Sequence, residues 1–321
     1  MTEQWIDPEI AEVLAATALP FEVLGDHNVG AVRRAQLEAA ALLQPSAAVA
    51  RTDHTVPGPA GGPDVVLRVH RPVDLDGPAP CLYWVHGGGY VIGSYRTEDL
   101  RLERLCLDLG CVAVAVDYRL APETPYPGPM EDCYAGLAWV AAQAPALGVD
   151  PGRLGVGGGS AGAGLAAALS LAARDRGGPA LAFQLLVYPM LDDRGATRSS
   201  GWAAPVWSPA NNRYGWQAYL GDCYGTDHVP ATAAPARADD LAGLPPAFVG
   251  VGSADLFVDE DVAYAHRLLH AGVPTELHVY AGAVHGFETI TPAAALAVRL
   301  RRDVTEWLGR VMGAGVTGAG E

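Results

Sequence analysis

The chain of 321 residues contains no lysine, and all 21 of its basic residues are arginine. That absence removes the lysine of a Walker-A phosphate loop, Schiff-base and pyridoxal-phosphate chemistry, and the serine–lysine hydrolases. Positive charge of any kind is scarce. With 36 acids the formal net charge is −15, so no nucleic-acid partner is expected. Cysteine is sparse and unpaired in pattern: Cys81, Cys106, Cys111, Cys133 and Cys223 form no CxxC motif and leave one over if paired. They read as buried thiols in a reducing compartment, neither a disulfide scaffold nor a metal site. The opening MTEQWIDPEI has no basic stretch ahead of an apolar one, so no secretory signal is expected. Apolar runs such as 162–173 fall short of the ~18 residues that a membrane span needs. The expectation is a cytoplasmic protein with no membrane partner.

What is present is a large apolar fraction. Half of the residues are hydrophobic and only 18% are charged, which excludes a disordered chain. Strand-like runs at 64–70, 81–85, 111–116, 153–156, 181–188, 247–252 and 276–280 alternate with helix-like runs at 97–109, 129–143, 161–174 and 259–271. A further helical run, 293–311, closes the chain. Apolar strands without clean alternation, separated by helices, predict an α/β fold with a mostly parallel central sheet covered on both faces. In such sheets ligands sit beyond the carboxyl ends of the strands.

Two regions break the rhythm. Residues 1–47 look helical, with Asp7-Pro8 as N-cap and first-turn proline and a second run after Asn28. Residues 191–244 are rich in tryptophan, proline and glycine, and Ser208-Pro209 through Leu220, with Gly221 beyond, reads as a capped helix. The expected division is a catalytic domain of 48–190 and 245–321 with cap or lid elements at 1–47 and 191–244. Trp202, Trp207, Tyr214 and Trp216 of the second element are candidate linings of an apolar substrate pocket.

Gly158-Gly159-Ser160-Ala161-Gly162 matches GxSxG between a predicted strand and a predicted helix. A sharp turn there lifts the serine oxygen clear of the backbone, and the helix starting at the serine points free N–H groups at any oxyanion formed. The pattern by itself is weak, with about 0.1 chance occurrences in so glycine-rich a chain, and a phosphate-binding turn competes with it. His86-Gly87-Gly88-Gly89 ends another strand, and its uncovered backbone N–H groups suit an acyl-transfer oxyanion. A flexible loop is the competing reading, and His86 itself is expected to brace that loop.

A serine hydroxyl needs a base at neutral pH, and imidazole titrates in the right range. Of nine histidines, His266 and His270 share a helix without a third ligand, and His278 lies inside the last predicted strand. His285 sits in a loop just past that strand, where the search rule looks. Asp255 follows the strand 247–252 and is the expected partner of His285. Its rivals Asp259, Glu260 and Asp261 open the next helix, where the helix dipole is a sufficient reason for acidic residues. The order Ser160, Asp255, His285 is that of the α/β-hydrolases.

These residues resemble the bacterial hormone-sensitive-lipase-like family of α/β-hydrolases, the family IV esterases. The resemblance runs in order over 81–287: the HGGG stretch, Asp117-Tyr118-Arg119-Leu120-Ala121-Pro122-Glu123, the serine elbow, Tyr188-Pro189, 255–260 and His285-Gly286-Phe287. It implies an α/β-hydrolase fold and a cofactor-independent and metal-free serine esterase acting on small esters of short to medium acyl chains. It further implies backbone donors at Gly87, Gly88 and Ala161, loop-bracing roles for Arg119 and Glu123, and a homodimer through the last strand, as is common among relatives. An amidase or deacetylase on the same scaffold, or a non-catalytic small-molecule receptor, are the alternatives. Three positions depart from the family pattern: Gly159 before the serine, Ala163 in place of a glycine, and Leu256 where proline is common. The first is expected to loosen the unfolded turn by roughly 0.5–1 kcal/mol, and the last to leave the Asp255 loop less fixed.

Overall fold

The strand-like runs become one eight-stranded sheet in the computed structural model, which describes residues 5–17 and 23–313. The parts of the expected division at 1–4, 18–22 and 314–321 lie outside the described residues. The strands are β1 Val49–Val56, β2 Val65–Pro72, β3 Ala79–Val85, β4 Val112–Asp117, β5 Val149–Gly159, β6 Gln184–Val187, β7 Ala247–Gly252 and β8 Thr275–Tyr280. The helices are α1 Pro8–Ala16, α2 Val29–Ala41, α3 Asp99–Leu109, α4 Gly128–Ala142, α5 Ala161–Asp175, α6 Pro209–Leu220, α7 Val258–His270, α8 Phe287–Ile290 and α9 Ala295–Met312.

The strand order is β1-β2-β4-β3-β5-β6-β7-β8, with β1 and β2 antiparallel to their neighbours and every later pairing parallel. Strand β1 was not among the expected strands. It is an edge strand whose middle residues are polar and largely solvated, so it carries no apolar run to read. Side chains alternate between the faces of β3: Tyr83 and Val85 join one core with α4, α5 and α7, while Leu82 and Trp84 join the other with α3 and α9. Helix α5 is apolar all round and is buried along nearly its whole length, which its alanine, glycine and leucine content permits.

Register decides where the site lies. Val85 is level with Val116 and Gly158, Gly159 with Val187, and Val187 with Gly250. The loops after β3, β5, β6, β7 and β8 therefore leave the same edge of the sheet.

The two irregular regions touch each other and that edge. Asp7 caps α1 through the Glu9 N–H, and Ser208 caps α6 through the Asn211 N–H, each followed by the expected first-turn proline. Arg33 of α2 donates to the Val91 and Ala121 carbonyls and pairs with Glu123, while Gln36 accepts from the Gly93 N–H. Helix α6 meets the N-terminal segment through Asn211, which accepts from the Leu24 N–H, and Tyr214, which donates to Asp26. Among the described residues no helix is long and apolar enough to cross a membrane.

Candidate active site

Strand β5 runs into α5 through a single residue of unusual backbone geometry. Ser160 has φ 57° and ψ −124°, a conformation that costs a non-glycine residue about 1–3 kcal/mol and persists only where its surroundings enforce it. They do so here. The Ser160 N–H donates to the Val187 carbonyl at 2.9 Å, and the Ser160 carbonyl accepts from Gly164 and Met190. Close approach explains the glycine after the alanine. A Cβ on Gly162 would lie 2.1 Å from the Val85 carbonyl oxygen, so helix and sheet touch there backbone to backbone.

The loops after β7 and β8 bring the other two residues to this serine. His285 Nε2 lies 2.9 Å from Ser160 Oγ, and His285 Nδ1 lies 2.7 Å from Asp255 Oδ2. The three are 7%, 6% and 0% exposed for Ser160, His285 and Asp255. With Nδ1–H donating to the carboxylate, Nε2 is left as acceptor for the serine hydroxyl. The Asp255 loop is firmly held although Leu256 replaces proline. Asp255 Oδ1 accepts from the Phe257 N–H at 3.0 Å, the Ala254 N–H donates to the Ala283 carbonyl, and Leu256 is buried.

The acids beside Asp255 stand in the first turn of α7 as expected, but tertiary contacts hold them too. Asp259, Glu260 and Asp261 were expected to be ordinary first-turn acids favoured by the helix dipole. Asp259 accepts from the Ser199 N–H at 2.8 Å, and Glu260 is buried and accepts from the Leu191 and Asp192 N–H groups. Asp261 is fully buried, and its carboxyl has no hydrogen-bond partner among the described residues. Burial, helped by neighbouring acids, pushes the Glu260 and Asp261 carboxyls well above the usual range.

On the other side of Ser160 lies the loop after β3. The N–H groups of Gly87, Gly88 and Ala161 donate to no acceptor among the described residues. Gly88 has φ +117°, and a Cβ there would stand 2.1 Å from the Ile92 carbonyl oxygen, so no other residue fits. His86 braces this loop as expected: Nδ1–H donates to the Gly87 carbonyl at 2.8 Å, the ring stacks on Tyr118, and the Tyr118 hydroxyl donates to the His86 carbonyl. Burial pushes its pKa down to about 4, so it is neutral near pH 7. Arg119 clamps Asp132 with two hydrogen bonds, and Glu123 pairs with Arg33, both away from the serine.

The four aromatic candidates are scattered. Trp207 is buried against the loop, where a Cβ on Gly89 would meet its ring at 2.3 Å. Trp216 packs on Tyr90 with ring centroids 5.2 Å apart. Tyr214 reaches Asp26, and Trp202 is half-buried against the core that holds α3 and α9. Two residues that lay in the stretches carrying the resemblance, but had been given no role, touch the imidazole: the rings of Tyr188 and Phe257 meet it at 4.7 and 5.1 Å. Tyr188 directly follows β6, and its place in the Tyr188-Pro189 pair was the signal that could have marked it. His266 and His270 pack ring to ring at 4.2 Å, and no metal-holding cluster occurs among the described residues.

A model of the α/β-hydrolase fold family matches residues 82–289. The chain belongs to the α/β-hydrolase family. It is 36% identical to esterase LipI of Mycobacterium tuberculosis over 300 residues, covering 91% of this chain and 92% of that one. Carboxylesterase NlhH of the same organism is 36% identical over 301 residues, with coverage of 91% and 92%. Among solved structures, a bacterial heroin esterase superposes with a TM-score of 0.90 at 40% identity, covering 96% of this chain and 98% of that one. This α/β-hydrolase is thus a carboxylic-ester hydrolase of the hormone-sensitive-lipase-like branch.

Proposed function

We propose that Ser160, His285 and Asp255 carry out the ester hydrolysis through an acyl-enzyme. The observation that carries this reading is the unbroken hydrogen-bonded line from Ser160 Oγ through His285 to Asp255. Ser160 Oγ attacks the ester carbonyl while His285 Nε2 takes its proton, and Asp255 holds the tautomer and stabilises the imidazolium. The backbone N–H groups of Gly87, Gly88 and Ala161 receive the oxyanion; their lack of acceptors among the described residues and the N-terminus of α5 support that role. His285 returns the proton to the departing alkoxide, then activates water, and hydrolysis frees the carboxylic acid and Ser160.

The substrates in this reading are small esters with short to medium acyl chains. Residues 1–47 and 191–244 form the cap over a catalytic domain of 48–190 and 245–321, supported by the contacts of α2 and α6 with the loop after β3. Trp207, seated on that loop, supports an apolar pocket beside it, with Trp202, Tyr214 and Trp216 as the other candidate linings. The five free thiols, four of them buried, support a cytoplasmic enzyme. The open edge of β8, with Val279 exposed, supports a homodimer joined there.

A p-nitrophenyl ester panel from acetyl to palmitoyl, run beside Ser160→Ala, tests the reading. The substitution should lower kcat by roughly 10⁶-fold, leaving only binding and oxyanion assistance. Comparable turnover by the variant would remove Ser160 as nucleophile.

A further inference from the structure

We infer that Glu288 and Tyr188 are a positioning pair for the His285 imidazole, an inference that rests on the esterase reading above. The bonds to Asp255 and Ser160 hold the ring at its two nitrogens and leave its tilt about that line free. The tilt is set by what the ring touches. Tyr188 meets it at 4.7 Å with planes 64° apart, and Phe257 at 5.1 Å with planes 81° apart. Phe257 is buried at the start of α7, packed among core residues.

Tyr188 is held differently. It stands just past β6 with φ 38°, a region where a non-glycine residue is strained and needs outside support. Its N–H donates to the Gly250 carbonyl at 2.6 Å, and its hydroxyl donates to Glu288 in a short hydrogen bond. Glu288 lies three residues beyond His285 in α8 and is only 5% exposed. Its Oε1 also accepts from Arg101 of α3 at 3.0 Å; Arg101 bonds Glu98, and Glu98 accepts from Trp84 Nε1 in the core. Burial and the Glu288 charge push the Tyr188 phenol up, so it remains the donor.

A polar chain of Tyr188, Glu288, Arg101, Glu98 and Trp84 thus anchors one wall of the imidazole to the core that holds α3 and α9. Asp255 sets the ring's tautomer, and Glu288 sets its plane by way of Tyr188. A carboxyl sealed behind the site is expensive unless hydrogen-bonded, and this one is bonded to Arg101 and to the residue that touches His285. Removing the phenol hydroxyl keeps the ring and the Arg101–Glu288 pair but frees the wall to shift.

The test compares Tyr188→Phe and Glu288→Gln with the wild type in kcat, KM, Tm and the far-downfield proton signal of the His285–Asp255 hydrogen bond. Misplacing a catalytic group by about 1 Å costs up to about 10²-fold, so Tyr188→Phe should lower kcat about tenfold with KM changed less than about twofold. Glu288→Gln should lower kcat further, and the downfield signal should shift or broaden in both. Should Glu288→Gln fail to fold, Tyr188→Phe decides alone. Wild-type kcat in Tyr188→Phe, or a lowered kcat with an unchanged downfield signal, overturns the inference. A wild-type protein that turns over no ester defeats the esterase reading instead, and the downfield signal still judges the positioning pair.

Discussion

The two sides of His285 are built in opposite ways. On the serine side stand peptide groups: Gly87, Gly88 and Ala161 present N–H groups that find no acceptor among the described residues, beside the N-terminus of α5. These donors come from short contiguous stretches whose glycines permit the approach. On the carboxylate side, Asp255 has Glu260 and Asp261 for neighbours, and Asp192 stands behind Glu260. Those acids are positioned by distant segments, as when Glu260 holds the Leu191 and Asp192 N–H groups. Burial raises the Glu260 and Asp261 carboxyls and so favours their neutral forms. The difference teaches that the serine side is a matter of backbone conformation, and the carboxylate side a matter of which acids are buried and what they bond.

The comparison can be broken first at Asp255. Asp255→Asn should lower kcat by about 10⁴-fold with little change in KM, because the amide reverses the tautomer preference of His285. Asp259→Asn, which keeps an oxygen for the Ser199 N–H, should leave kcat within about twofold; a crippled Asp259 variant would move the carboxylate role. On the opposite side, Gly88→Ala forces a Cβ toward the Ile92 carbonyl and displaces an N–H from the oxyanion position. Its kcat should fall by about 10²–10³-fold, with circular dichroism confirming the fold.

The smallest effect concerns stability. The folded pKa of Asp261 is raised, so the folded chain binds its proton more tightly than the unfolded chain does. The favourable neutral form is fully present below the ordinary carboxylate range and is lost as pH rises toward the folded value. Asp261→Asn cannot ionise, so urea unfolding at pH 8 should show a gain of about 1 kcal/mol over wild type, shrinking toward zero at pH 4. An equal difference at both pH values would show that ionisation of Asp261 carries no weight.

Much of this was legible in the sequence because it is local. The turn at Ser160, the glycines at 87–89 and the alternation of apolar strands with helices each lie within a few residues, and each has a steric or periodic cause. The strand ends could be named, and with them Asp255 and His285. Strand β1 was not legible, since a solvated edge strand such as RTDHTV has no apolar stripe. The burial of Glu260 and Asp261 was not legible, because a helix start accounts for acids equally well whether they are solvated or buried. Tyr188 and Glu288 are 100 residues apart, and no pattern in the chain joins them.

By itself the sequence determined which chemical groups stand at which strand ends and in what order, together with the backbone freedom needed at the turns between them. Burial patterns and glycine placement tolerate errors of several ångströms, so they survive being read in one dimension. Only the tertiary structure decided which carboxyl bonds the imidazole, which acids lose their water and what holds the ring in its plane. Hydrogen bonding and desolvation change over tenths of an ångström, and those distances exist only once segments far apart in the chain have packed.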